Sequence, residues 1–298
     1  MDGFLNLLKP PGVSSGSVVG FARHRLPRGV AVGHGGTLDP DAAGVLPLCV
    51  GRATRLFDYI IDKQKQYVAE VRLGVETDTQ DASGQIVARA PVRPVTDEQL
   101  DEVLARFVGE IDQVPPAYSA IKRNGRRMYD LARRGEAVEL DARRVTVHGI
   151  ERLERLDEDR FLIRVTCGKG VYIRTLCHDI GRALGCGAHM SFLLRSRAGI
   201  FDCEGALTLE ELDRLAGEGG LEERLYPLDA PLGHLRAVCA GPSREAYVRN
   251  GNPLRRRDYR GEADPGEPVR VYLDQRFAGI GEGMSDGGVR FRAMLLEG

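Results

Sequence analysis

Gly33-His34-Gly35-Gly36-Thr37-Leu38-Asp39-Pro40-Asp41-Ala42-Ala43-Gly44-Val45-Leu46-Pro47 decides how this chain is read. Four glycines and two prolines in fifteen residues argue against a regular helix or strand. Pro40 pushes Asp39 out of the α region. The stretch therefore predicts a shaped loop that presents one histidine, His34, and one carboxylate, Asp39. Loops of this kind are where chemistry is commonly placed. Read on its own, the same stretch is equally an ordinary Asp-Pro turn with a histidine beside it.

Outward from the loop, strands and helices interleave. Ser14 or Ser15 caps a first helix over 14–25, with Val18, Val19 and Ala22 inward. Tyr67, Ala69, Val71 and Leu73 alternate with mostly polar residues as a half-buried strand does. Thr96-x-x-Gln99 is a capping box ahead of Leu100, Val103, Leu104 and Phe107. A basic helix is expected around 126–134 after a turn at Asn124-Gly125. Residues 160–167 alternate, Gly168-Lys169-Gly170 turns the chain, and Val171–Ile173 is expected to resume a strand. Leu176, Ile180 and Leu184 mark a helix that Gly185 ends. Thr208-x-x-Glu211 opens another, with Leu212 and Leu215 on one face. Without strict βαβ alternation, this is an α+β catalytic domain. Past Pro227, Pro231 and Gly233, short strand-like pieces (269–272, 289–291) predict a small β domain of about sixty residues.

The apolar fraction of 42% and charged fraction of 29% in 298 residues are those of a globular protein with a sizeable core. No apolar run approaches the ~18–20 residues of a membrane span, and the N-terminus lacks a signal-peptide layout. Six cysteines without a Cys-x-x-Cys pair fit reduced thiols in the cytoplasm. Cys186-x-x-His189, with Cys177 and His178, is a zinc candidate that lacks a second tight ligand pair. Net charge is −1, but its signs are segregated. Lys122, Arg123, Arg126, Arg127, Arg133 and Arg134 form one basic run, and Arg255, Arg256, Arg257 and Arg260 another. Acidic residues gather at 97–102, 154–159 and 210–223. Such segregation suits one face meeting phosphates, although any single charge run is more often a wet surface.

Several segments together resemble one family. Lys9-Pro10-Pro11-Gly12-Val13-Ser14-Ser15, the His34–Asp39 loop, Lys65-Gln66-Tyr67, and Tyr118-Ser119-Ala120-x-Lys122 come in order. Gly168-x-Gly-x-Tyr172-Ile173-Arg174, Gly185-Cys186-Gly187-Ala188-His189 and Leu193-x-Arg195-Ser196-x-x-Gly199 follow. This series resembles the TruB-type pseudouridine synthases, which act on uridine 55 of tRNA. It runs from residue 5 to about residue 200, with a weaker echo at Asn250-Gly251-Asn252-Pro253. The resemblance implies a catalytic domain over 1–233 with a mixed, mainly antiparallel sheet and a basic RNA-clamping insertion at about 120–150. It implies a β-barrel-like PUA-type domain over 234–298, matched less specifically.

It also implies roles. Asp39 would be the catalytic carboxylate and Arg174 its partner, a cation expected to hold it ionised by lowering its pKa. Arg174 is otherwise a surface arginine opening a helix. Tyr67 would stack on an extruded uracil, or else is a core tyrosine. Tyr172 would line the pocket if its segment is extended, and Leu193 matches an apolar pocket residue. His34 would fill the space left by the base or meet phosphate. Lys9 would steady the loop or contact phosphate, or is a surface lysine. Lys122, Arg126 and Arg127 belong to an insertion that closes over the T arm. No cofactor or metal is needed, no protein partner is implied, and a monomer is expected. Two departures stand out: Asp41 replaces the usual apolar residue after Asp-Pro and is expected to face solvent, and Ala43 stands where Thr or Ser is usual. An RNA-folding chaperone would use the same basic surfaces, and a hydrolase using His34 with Asp39 lacks a nucleophile elbow.

Overall fold

Tyr67, Ala69, Val71 and Leu73 are buried along one face of a nine-residue strand, and that strand runs through the middle of the main sheet. The computed structural model describes residues 1–60, 64–116, 122–123, 126–127 and 141–296. In chain order come β1 (Gly3–Lys9), α1 (Ser15–Arg23), β2 (Val32–His34), β3 (Ala43–Val50) and the single turn α2 (Phe57–Ile60). Next are β4 (Lys65–Leu73), β5 (Val75–Thr77), β6 (Ile86–Arg89), α3 (Asp97–Ala105) and β7 (Gly109–Gln113). The short pair β8 (Lys122–Arg123) and β9 (Arg126–Arg127) precedes β10 (Arg143–Arg155) and β11 (Arg160–Cys167). Then follow α4 (Ile173–Ala183), β12 (Ala188–Ala198), β13 (Phe201–Asp202) and α5 (Leu209–Glu218). The last part holds β14 (Ala237–Ala240), α6 (Glu245–Arg249), β15 (Tyr259–Gly261), β16 (Pro268–Leu273), β17 (Arg276–Gly283) and β18 (Val289–Met294).

The main sheet has the order β1-β3-β12-β4-β11-β10-β7, with β2 on β3 and β13 on β12. Every pairing is antiparallel except β3 with β12, where Leu194 faces Ala43 and Arg195 faces Gly44. The α+β class and the mixed, mainly antiparallel sheet are as the sequence led us to expect. Helices α3 and α4 bury Leu100, Leu104, Leu176 and Ile180 in one core with β4 and β11. Each such leucine or isoleucine is worth about 1.5–3 kcal/mol against exposure. Both expected capping boxes are present, Thr96 with Gln99 and Thr208 with Glu211. Helices α1 and α5 pack on β1 and β3 through Val18, Ala22, Leu212, Leu5 and Leu48.

The C-terminal strands form a second sheet, β15-β14-β16-β17-β18. Its path is open, although an isolated bridge from Leu254 to Val289 brings the segment ahead of β15 onto β18. Ile280, Ala293 and Leu295 of this part pack with Phe4, Val45 and Leu56 of the first. Arg55 donates to the Met294 carbonyl at 2.8 Å, and the Tyr272 hydroxyl donates to Asp229 Oδ2 at 2.7 Å.

Three local expectations are corrected. Val171–Ile173 is not a strand: helix α4 begins at Ile173, and Tyr172 is extended only as its N-cap (φ −96, ψ 109). The Gln113 side chain holds it there, accepting from the Tyr172 N–H at 2.9 Å and donating to its carbonyl at 3.1 Å. Arg126-Arg127 is a strand paired with Lys122-Arg123 and not the start of a helix. Residues 124–125 and the remainder of the expected helix lie outside the described residues. The motif loop is also shorter than expected. Its ends, Gly33-His34 and Ala43–Pro47, belong to β2 and β3; β2 pairs with Leu48–Val50 of β3, and Gly44–Pro47 pair with β1. Only the stretch between them is irregular.

Candidate active site

The residues between β2 and β3 have little regular hydrogen bonding of their own, so other parts of the chain hold them. Lys9 is fully buried, and its Nζ donates to the carbonyls of Pro40 (2.7 Å), Val13 (2.6 Å) and Pro10 (2.9 Å). Burial pulls this ammonium down to about 8, while Asp41 and Asp39 hold it up. The Lys9 head is thus turned inward onto the backbone on both sides of the loop. Ser15, in the first turn of α1, bonds both backbone groups of Leu38 at 2.9 Å. The Gly12 N–H reaches the Pro40 carbonyl at 3.0 Å. On the far side Arg195 donates to the carbonyls of Val45 (2.8 Å), Gly36 (3.1 Å) and Thr37 (3.4 Å). These bonds rest on the Lys9-Pro-Pro-Gly-Val-Ser-Ser segment and on β12, both read from the sequence as matching motifs.

So held, the loop presents Asp39 to Arg174. Arg174 Nε lies 3.1 Å from Asp39 Oδ2, and its Nη1 lies 3.3 Å from Asp81 Oδ2 and donates to the Thr79 carbonyl at 3.3 Å. The arginine side chain is 6% exposed, Asp39 is 42% exposed and Asp81 17%. Arg174 sits in the first turn of α4, a poor place for a cation by the helix dipole, and two carboxylates offset that. The expected lowering of the Asp39 pKa is reversed. Burial raises it most, Asp81 and Asp41 push the same way, and Arg174 with Lys9 offsets only part of this. Asp81, on the same arginine, adds its own negative charge, so part of what Arg174 does for Asp39 is cancelled.

Asp81 was not read from the sequence. It lies between β5 and β6, where Asp78-Thr79-Gln80-Asp81-Ala82-Ser83-Gly84 looks like any turn. The Thr79 hydroxyl (2.7 Å), the Ser83 hydroxyl (2.6 Å) and the Ser83 N–H (3.0 Å) all donate to Asp81 Oδ1. Backbone bonds on Met190 of β12 dock this turn, as does the Thr175 hydroxyl donating to Gln80 Oε1. The carboxylate spaced three residues after Asp78 was the available signal, but only the tertiary docking points it at Arg174.

The two loops form opposite walls of a cleft of about 1390 Å³. Its lining includes Ser14, His34, Asp39, Asp41, Asp81, Arg174, Phe192 and Leu193. That exceeds the ~300–1,000 Å³ of a small-molecule site and has room for a nucleotide with its backbone. Burial lowers the pKa of His34, and the Arg195 charge adds to this. Its buried Nδ1 has no hydrogen-bond partner among the described residues. Asp41 is exposed, as its proximity to Asp39 requires. Tyr67 is buried in the cluster that also contains Leu38, Ala42 and Leu193 of the cleft, and burial raises its pKa. Tyr172 is not among the residues lining the cleft. Of Lys122, Arg126 and Arg127 the structure describes the backbone pairing alone, and Tyr118-Ser119-Ala120 lies outside the described residues. In the zinc candidate, Cys186 Sγ faces the Gly181 carbonyl and His189 Nδ1 lies 2.9 Å from the Val75 carbonyl oxygen.

A solvent-reachable aspartate paired with a buried arginine, on a loop held from both sides, has the makings of acid-base or nucleophilic chemistry. The family described as "TruB family pseudouridylate synthase (N terminal domain)" matches residues 24–173, and "tRNA pseudouridylate synthase B C-terminal domain" matches 174–233. The chain belongs to the TruB family of pseudouridine synthases, and is an isomerase of that kind. Among its relatives are proteins named tRNA pseudouridine synthase B. That of Alkaliphilus oremlandii is 44% identical over 94% of this chain and 93% of its own length. That of Azoarcus sp. is 45% identical over 96% and 92%, and that of Symbiobacterium thermophilum 49% over 84% and 82%. Two solved structures share the fold. An H/ACA ribonucleoprotein bound to a substrate RNA containing 2'-deoxyuridine has a chain with TM-score 0.75 and 29% identity, covering 99% of this chain and 85% of that one. A Cbf5-Nop10-Gar1 complex has one with TM-score 0.73 and 31% identity, covering 99% and 84%.

Proposed function

We propose that the protein converts uridine 55 in the T loop of tRNA to pseudouridine, with Asp39 as the reacting carboxylate. The carrying observation is the 3.1 Å pair of Asp39 with the buried Arg174 at the wall of a nucleotide-sized cleft. The reaction detaches uracil from ribose, turns it, and rejoins it through carbon 5 in place of nitrogen 1. Attack on the sugar, attack on the ring and removal of a sugar proton all require that carboxylate ionised, and Arg174 favours the ion.

The target base leaves its stack to enter the cleft. Extrusion costs a few kcal/mol, least in a loop, and His34 at the cleft wall offsets part of it by filling the vacated space. Leu193 and Tyr67, packed with Leu38 and Ala42, supply the apolar surroundings for the flipped ring. Residues 1–233 act as the catalytic domain. The insertion at about 120–150, with Lys122, Arg126 and Arg127, clamps the T arm. Residues 234–298 form a PUA-type RNA-binding domain whose exposed Arg255, Arg256, Arg257 and Arg260 meet phosphate. We read the enzyme as a cytoplasmic monomer, its six cysteines all free thiols.

The test is site mapping. Incubated with unmodified tRNA transcript, the protein should place pseudouridine at position 55 and nowhere else, and a transcript carrying cytidine there should stay unmodified. Tight binding without any pseudouridine would leave an RNA chaperone in its place. Release of free uracil would mark a hydrolase.

A further inference from the structure

Arg195 is the largest side chain that is fully buried, at 1% exposure, and it sits on β12 between β3 and β4. Among the described residues it forms no ion pair with a carboxylate; its partners are the carbonyls of Val45, Gly36 and Thr37. A buried guanidinium without a counter-ion is costly unless dipoles are aimed at it. Two of the three dipoles belong to the loop that carries Asp39. Satisfying this cation and ordering that loop are therefore one event. The β3 and β12 backbones approach so closely here that a Cβ on Gly44 would lie 2.3 Å from the Arg195 carbonyl oxygen. On the other side, the strand register sets Arg195 directly opposite Tyr67.

We infer that Arg195 is a positioning residue of the isomerisation: one buried guanidinium ties the Asp39 loop to the pair of strands that carries Tyr67, and so fixes the carboxylate and the phenol relative to each other. The inference rests on the reading of Asp39 as the reacting group. A lysine at this position keeps the charge but loses the planar fan that spans the Val45, Gly36 and Thr37 carbonyls. Displacement of a reacting group by about 1 Å costs about 100-fold in rate.

The experiment measures single-turnover pseudouridine formation, tRNA dissociation constant and thermal midpoint for wild type, Arg195→Lys, Tyr67→Phe, the double variant and Asp39→Asn. Arg195→Lys should lose about 100-fold in rate while tRNA binding stays within about threefold. In the double variant the losses should be clearly smaller than their product, because the two residues face each other across neighbouring strands and position one site. A lysine variant within threefold of the wild-type rate overturns the inference. So does a loss that tracks weaker binding or a smaller folded fraction, and so do losses that simply multiply. If Arg195→Lys does not fold, Arg195→Gln carries the same comparison, and failure of both to fold makes the residue structural and overturns the inference. Wild type and Asp39→Asn decide the underlying reading separately: an inactive wild type, or an active Asp39→Asn, would sink that reading whatever Arg195 does.

Discussion

The two walls of the cleft each offer Arg174 a carboxylate, and they do so in opposite ways. Asp81 sits in a turn whose hydroxyls and N–H saturate one of its oxygens, leaving the other for Nη1. Asp39 has its backbone fixed by Lys9, Ser15 and Arg195, but its carboxylate keeps 42% of the side chain open to the cleft. One wall fixes the carboxylate, the other fixes everything except the carboxylate. The difference separates a group that orients a cation from a group that can react, although both are aspartates at similar distances from the same arginine.

Breaking this asymmetry should give unequal losses. Asp39→Asn should cost about 10⁴-fold or more in single-turnover rate, because the reacting group itself is gone. Asp81→Asn should cost about 100-fold through a misaimed Arg174, with tRNA binding retained. Equal losses would erase the distinction.

Stability should sort differently. Lys9→Met strips donors from three buried carbonyls and should cost about 2–4 kcal/mol in denaturant unfolding. The Lys9 pKa of about 8 in the folded chain lies below the ordinary 10.5. The unfolded chain then holds more protons between those values, so stability attributable to Lys9 rises with pH across that window. The gap between wild type and Lys9→Met should widen from pH 8 to pH 10. On the other wall, Ser83→Ala should cost only about 0.5–1.5 kcal/mol, since Asp81 keeps its other donors.

The acid limb of the rate sharpens the same contrast. With Asp39 as the proposed reacting group, ionised, and its pKa raised, the rate should fall with decreasing pH earlier than an ordinary carboxylate dictates. Asp81→Asn removes a neighbouring negative charge and leaves Arg174 to Asp39 alone. Both changes lower the Asp39 pKa, and the limb should move to lower pH. A limb that stays put would mean that the two carboxylates are not coupled through the arginine.

Local signals made much of this legible. The capping boxes at Thr96 and Thr208 and the period-two burial of β4 stand in the structure where the sequence set them. The loop between β2 and β3, and the approach of Asp39 to Arg174, followed from motifs whose residues are far apart in the chain. What failed was decided by tertiary contact. Tyr172 reads as strand because it is extended, yet a glutamine from β7 holds it at a helix N-terminus. Arg195 stood in the sequence only as part of a motif, and the sheet order is what shows that neighbours enclose it. Asp81 is an ordinary turn aspartate until β12 docks its loop against α4. The direction of the Asp39 pKa was missed for the same reason, since the burial that raises it, and the approach of Asp81, are invisible in one dimension.

The most direct measurement is quantitative mapping of pseudouridine at position 55 in tRNA treated with wild type and with Asp39→Asn, alongside tRNA binding by both. The account predicts full conversion by wild type and none above background by the variant, at matched affinity. Conversion by Asp39→Asn, or tRNA bound by both proteins and modified by neither, would contradict it.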